Sequence, residues 1–139
     1  MAADPDCIFC KIVAGAVPSF KLYEDGETLA FMDINPVHDG HALVISKAHF
    51  ATVFDIAPEA FAAVARATAL VAKAVNAALK PDGMNLIQSN GRGAAQSVGH
   101  FHIHILPRHL GDHLPLNWPL KPGDMAQIGE IAARIRTHL

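Results

Sequence analysis

From His100 to Leu106 the chain reads His-Phe-His-Ile-His-Ile-Leu, a strict alternation of imidazole and bulky apolar side chain up to Ile105. Period two is a strand signal, because successive side chains of an extended backbone point to opposite faces. The segment from about Gly99 to Pro107 is therefore predicted as a strand. Phe101, Ile103 and Ile105 lie on one face, and His100, His102 and His104 on the other. Same-face neighbours sit roughly 6.5–7 Å apart along such a strand. The apolar face must be covered, most simply by the longest amphipathic helix of the chain. The histidine face is left for another use. Spacing alone leaves three readings open: a solvent-facing strand in a histidine-rich chain, a metal site of all three imidazoles, or a phosphate site.

The rest of the chain supplies a sheet and a helix. Phe20 to Glu24 reads as a short strand, closed by the turn Glu24-Asp25-Gly26, and Thr28 to Asp33 reads as the next. Asn35-Pro36 and Asp39-Gly40 mark a loop before the compact apolar strand His41 to Ser46. Strands this close in sequence suggest antiparallel pairing. Pro58 to Leu79 is the strongest helix prediction, with Pro58 in the first turn and Asp55 or Ala57 just ahead of it. Phe61, Val64, Ala65, Thr68, Val71, Ala72, Val75 and Leu79 recur at spacings of three and four, and Lys80-Pro81-Asp82-Gly83 ends the helix. Asn85 to Ser89 is predicted as a strand, Asn90-Gly91-Arg92-Gly93 as a loop, and Asp124 to Leu139 as a last amphipathic helix. Two groups of strands around one long helix predict the α+β class. With no repeat, low-complexity tract or Gly/Ser linker, residues 1–139 read as one domain.

Composition narrows the function classes. With 139 residues, 51% of them hydrophobic and 17% charged, the chain is long enough to bury a core without disulfides. A formal charge of −2 gives no basic field for a DNA or RNA backbone, although a pocket for a small anion can still be locally positive. Met1 to Lys11 is acidic and does not read as a secretory signal. The longest apolar region, Phe61 to Leu79, is broken by Arg66, Lys73 and Asn76, so no membrane span is expected. A cytoplasmic location follows, where thiols stay reduced. Cys7 and Cys10 then read as a metal or redox pair rather than a disulfide, or more plainly as two small buried residues.

The histidine run resembles the signature of the histidine-triad (HIT) family, His-φ-His-φ-His-φ-φ with φ apolar. Phe31-Met32-Asp33-Ile34-Asn35-Pro36, Gly40-His41-Ala42-Leu43-Val44-Ile45 and Lys47-Ala48-His49 look like the family's N-terminal half. Asn90-Gly91 and Gln96-Ser97-Val98 look like its phosphate-side loop. The likeness, closest to the bacterial Hint-like branch, covers most of residues 7–108 and leaves 109–139 as a tail and helix. It implies a HIT-like fold, an antiparallel sheet packed on one long helix, and a homodimer that joins two sheets. It also implies a nucleotide hydrolase acting at the α-phosphate of a purine nucleoside phosphoramidate or a dinucleoside polyphosphate, through a nucleotidyl-histidine intermediate.

The family's nucleophile corresponds to His102, and neutral imidazole suits that role because a free ring nitrogen is available near neutral pH. By the same resemblance His104 and His41 line the phosphate site, joined by the loop that carries Asn90, Gln96 and Ser97, with Ser97 near the leaving group. Asp33 takes the ribose hydroxyls and Ile34 packs against the base. No obligatory catalytic metal is implied. Some bacterial members, and the related galactose-1-phosphate uridylyltransferases, pair a Cys-x-x-Cys with two histidines. The matching set here is Cys7, Cys10, His49 and His100, a closed and therefore structural zinc site. His38, His109, His113 and His138 match no motif and are read as surface residues.

One departure stands out. Many relatives carry glycine just before Gln-Ser-Val, where this chain has Ala94-Ala95, and alanine would be strained there at positive φ. Two rival functions remain: nucleotidyl transfer to an acceptor other than water, and a non-enzymatic nucleotide- or zinc-binding module.

Overall fold

The computed structural model describes residues 3–139. Met1 and Ala2, the start of the stretch tested for a secretory signal, lie outside the described residues. Helix α1 (Ile8–Val13) precedes strands β1 (Lys21–Glu24), β2 (Thr28–Met32) and β3 (Ala42–Ser46). The long helix α2 (Pro58–Leu79) follows, then β4 (Gly83–Gln88), β5 (His102–Arg108) and the C-terminal helix α3 (Met125–Arg136). The strands form one sheet in the order β1-β2-β3-β5-β4, with every neighbouring pair antiparallel. The predicted α+β architecture holds, as do the limits of α2; the other elements shift by a few residues at their ends.

The histidine strand begins at His102 rather than Gly99. The Phe101 N–H donates to the Phe50 carbonyl at 2.7 Å, so the chain is tied to the loop after β3 before it can join the ladder. His100 therefore sits in a bend, while His102 and His104 pair with Ile45 and Leu43.

Both faces of the sheet are covered. On one, α2 lays Val64, Ala67, Val71 and Val75 over Ala30, Ala42, Val44, Phe101 and Ile105. Burial of each large aliphatic or aromatic side chain there stabilises the fold by about 1.5–3 kcal/mol. The buried stripe of α2 differs in part from the predicted one: Ala63 and Ala67 are buried, whereas Ala65 and Leu79 are exposed. Alanines at spacing four let the helix sit close on the sheet. By length and composition alone α2 could cross a membrane, despite the charges that break its pattern. Its apolar stripe is instead spent on β1, β2, β3 and β5.

On the opposite face α1 packs Phe9 and Cys10 against Leu29, Phe31, Leu43 and Ile45. The histidine side of β5 points into this layer, so His100 and His102 are buried at 0% and 2% exposure. That removes the solvent-facing reading of the run. Helix α3 starts on an Asp124 cap and buries no residue. His109, His113 and His138 are exposed as expected, but His38 is half-buried, with Nε2 3.5 Å from the Asp112 carboxylate.

Ala95 does adopt a left-handed conformation, φ 58° and ψ 37°, at the end of a short 3-10 turn over Arg92–Ala94. Holding a non-glycine residue there costs about 1–2 kcal/mol, part of which glycine would return through its larger unfolded-state entropy. Ala95→Gly should therefore raise stability by about 0.5–1 kcal/mol. A urea midpoint equal to or below that of the wild type would contradict this.

Candidate active site

Asp33 and His41, at the adjoining ends of β2 and β3, share one face of the sheet with His104 of β5. Phe31 pairs with Leu43, and Leu43 with His104, so side chains two residues along share that face. The Asp33 N–H donates to the His41 carbonyl at 3.0 Å, which carries the β2–β3 pairing one step past Met32 and Ala42. Gly40 makes the turn that presents His41. Its φ is 89°, and a Cβ there would stand 2.9 Å from the Pro107 ring, so glycine is required on both counts.

Hydrogen bonds fix which nitrogen of each ring carries the proton. His41 Nδ1 accepts from the Val37 N–H at 3.2 Å, so neutral His41 is protonated on Nε2. That Nε2–H donates to His104 Nδ1 at 2.8 Å, with the Asp33 carboxylate 3.4 Å away. His104 is then protonated on Nε2. On His102, Nδ1 lies 2.6 Å from the carbonyl of His100, so Nδ1 carries the hydrogen and Nε2 keeps a free lone pair. The same proton placement argues against a metal at Asp33, His41 and His104. Their ligand-type atoms do converge, but His41 could bind a metal through Nε2 only by giving up the Val37 bond.

Burial is the main cause of the lowered pKa values of these histidines. It depresses His102, against the opposing bond to the His100 carbonyl, and His41, against the opposing charge of Asp33. His104 is pushed down to about 4, first by burial and then by its neighbours His102 and His41. All three rings are thereby shifted toward the neutral form. Unfolded histidine titrates near ~6.5, so as pH falls the unfolded chain binds protons first. Stability from these histidines should be complete above about pH 6.5 and drain away down to about 4. Denaturation midpoints measured across that window should fall, and fall less in a His41→Asn/His104→Asn variant. A flat wild-type profile would refute the expectation.

His102 and His104 border a cavity of about 520 Å³, with Asp33, His41 and Ser97 also on its polar side, a volume in the usual range for small-molecule sites. The apolar wall includes Phe31 and Leu43 from the sheet and Ile8, Phe9 and Ile12 from α1, with Ile34, 74% exposed, at the rim. Two predicted residues are differently occupied. Gln96 accepts from the Gly91 N–H and donates to the Ala51 and Val98 carbonyls. Asn90 accepts from the Val53 N–H and exchanges hydrogen bonds with Gln88. Both side chains brace the loop and neither lines the cavity. The α1 wall was missed by the sequence reading; the spacing of Ile8 and Ile12 beside the Cys-x-x-Cys was its only signal. Another cavity, about 400 Å³ beside Arg108, holds a bidentate Arg108–Asp112 pair whose groups, with Asn85, are spent on one another and on the backbone.

Cys7, Cys10, His49 and His100 form a second cluster, with all four ligand atoms within 4.8 Å of one another. Neighbouring donors stand 3.4 Å apart for Cys7–His100, 3.3 Å for Cys10–His49, 3.6 Å for Cys10–His100 and 3.2 Å for His49–His100. Tetrahedral zinc with bonds of about 2.3 Å to sulfur and 2.0–2.1 Å to nitrogen gives edges of roughly 3.3–3.8 Å. His100 Nε2 donates to the Ser46 carbonyl at 2.7 Å, which leaves Nδ1 as the ligand atom. His49 turns Nε2 toward the Asp4 carboxylate at 4.0 Å, with the same result. The donor set and its spacing fit a metal ion.

Three comparisons place this geometry among known proteins. An adenosine 5'-monophosphoramidase of Saccharomyces cerevisiae is 41% identical over 137 residues, 98% of this chain and 84% of that protein. A crystal structure of a HIT family member from Bacillus subtilis superposes with a TM-score of 0.90 at 37% identity, covering 96% of this chain and 97% of that one. A zinc-bound histidine triad protein from Mycobacterium smegmatis superposes at 0.75 and 34% identity, covering 96% and 98%. The HIT domain profile matches residues 14–111. The chain belongs to the HIT domain family.

Proposed function

We propose that the chain hydrolyses a purine nucleoside phosphoramidate or a dinucleoside polyphosphate at its α-phosphorus, with His102 as nucleophile. The observation that carries this reading is the 2.6 Å bond from His102 Nδ1 to the His100 carbonyl. It holds a neutral ring with Nε2 unprotonated, the state a nucleophilic imidazole needs. Nε2 forms a bond to phosphorus while the phosphorus–leaving-group bond breaks. Water then cleaves the nucleotidyl-histidine, releasing a nucleoside monophosphate and restoring Nε2. His104, protonated on Nε2, supplies a hydrogen to the phosphate oxygens or the leaving group, and the charge that builds there is met by donors already in place. Asp33 accepts from the ribose hydroxyls with the lone pairs left by its bond from the Asn35 N–H. Ser97 lies on the leaving-group side, held at the cavity with Val98 by the loop that Asn90 and Gln96 brace.

The phosphoramidase name of the yeast relative supports the reaction class. We assign zinc to the Cys7–Cys10–His49–His100 cluster, where a closed set of four ligands supplies structure and no open position for chemistry. A cytoplasmic homodimer, joined at an exposed sheet edge such as β4, completes the proposal.

Incubation with an adenosine phosphoramidate labelled at phosphorus, followed by a quench without acid, should release labelled AMP and trap label on His102. Adding sugar phosphates should leave AMP the product. Absence of both turnover and label across a panel of adenylate conjugates would overturn the reading.

A further inference from the structure

Helix α1 belongs to two sites at once. It spans only six residues, far below the length at which a helix holds itself in water. Cys7 caps its N-terminus and Cys10 lies within it, so two of the four metal ligands fix its position. The residues between and beyond them, Ile8, Phe9 and Ile12, form wall of the cavity that borders His102. Phe9 is 6% exposed and stands edge-on to both histidines, ring centres 5.8 Å from His100 and 5.3 Å from His102. A second connection runs through His100, whose Nδ1 faces the metal cluster while its carbonyl holds His102.

We propose that metal binding at Cys7, Cys10, His49 and His100 is thermodynamically linked to nucleotide binding in the cavity, with α1 as the shared element. The linkage rests on the nucleotide reading of that cavity. Without a cation, two thiols and two imidazole lone pairs are joined only by weak S–H···N contacts, Cys7 to His100 at 3.4 Å and Cys10 to His49 at 3.3 Å. A nucleotide arriving at the metal-free protein must order α1 before it gains the wall, and that ordering lowers its apparent affinity. Linkage is reciprocal, so a bound nucleotide must tighten metal binding by the same factor.

The test uses AMP and zinc as probes. AMP affinity is measured by calorimetry on the zinc-loaded, chelator-stripped and zinc-restored protein, with far-UV circular dichroism to follow folding. Transfer of zinc to a chromophoric chelator is measured on the loaded protein with and without saturating AMP, an arm that does not depend on the stripped protein remaining folded. Stripping should weaken AMP about tenfold, restoration should recover it, and AMP should raise zinc affinity by a matching factor. Equal AMP affinity in a folded stripped protein, or zinc transfer indifferent to AMP, would overturn the linkage while leaving the nucleotide reading intact. Failure of AMP to bind the loaded protein would overturn both.

Discussion

His102→Gln should lower kcat/KM for an adenosine phosphoramidate by about 10⁴-fold or more, some 5 kcal/mol of transition-state stabilisation. The expectation follows from the double duty of the ring. Glutamine can still donate a hydrogen to the His100 carbonyl, the bond His102 makes at 2.6 Å, so the bend before β5 has a partner. It offers no nucleophilic nitrogen, so no covalent intermediate forms and the displacement must run in one step. AMP affinity should change far less than turnover, because the apolar wall and Asp33 are untouched. The melting temperature should stay within a few degrees. Turnover within tenfold of the wild type would show that His102 is not the nucleophile. A collapse of the melting temperature would instead show a mainly structural ring.

The second large effect concerns stability. Cys10→Ser removes one of four ligands from a cluster that ties α1, the loop after β3 and the bend before β5 together. If free zinc stands about a thousandfold above its dissociation constant, the metal contributes about 4 kcal/mol. For a chain of this size that corresponds to roughly 12 °C in melting temperature. The wild type should hold one metal per chain and melt that much lower after treatment with a strong chelator. The variant should hold none, melt near the chelated wild type and ignore the chelator. A wild type that melts equally with and without chelator would remove zinc from the account of this fold.

How much of this was legible in the residues depends on the range of the interaction. The alternation around His102 and the spacing along Pro58–Leu79 are local, and they place β5 and α2 on the correct faces without knowledge of the rest. The start of β5 was misplaced because Phe101 bonds to Phe50, a partner about fifty positions away that no local pattern reveals. Ala65 was wrongly placed in the buried stripe of α2, since a helical wheel cannot tell which flank of the stripe the sheet will meet. Asp33, His41 and Ser97 were found through their order along the chain, and they do gather around one cavity with His102 and His104. Asn90 and Gln96 carry the same family pattern, yet their side chains are consumed by Val53, Gln88, Gly91 and Ala51. A motif records that a residue type is needed, and it cannot say whether the need is for contact or for bracing. The part played by α1 was hidden for a further reason: a six-residue helix has too few positions to declare a period.

The neutral state of His41, His102 and His104 has a consequence for how the site chooses its anion. Among the described residues no lysine or arginine lines this cavity, and rings whose pKa values burial has lowered bring little positive charge to a phosphate. Selection then depends on the direction of N–H bonds and hardly at all on attraction between opposite charges. Sites built on guanidinium or ammonium groups lose affinity as counterions compete. A cradle of uncharged imidazoles beside the Asp33 carboxylate should lose no affinity as ionic strength rises, and it should pass over a sulfate or free phosphate that carries charge but lacks the nucleoside to align it.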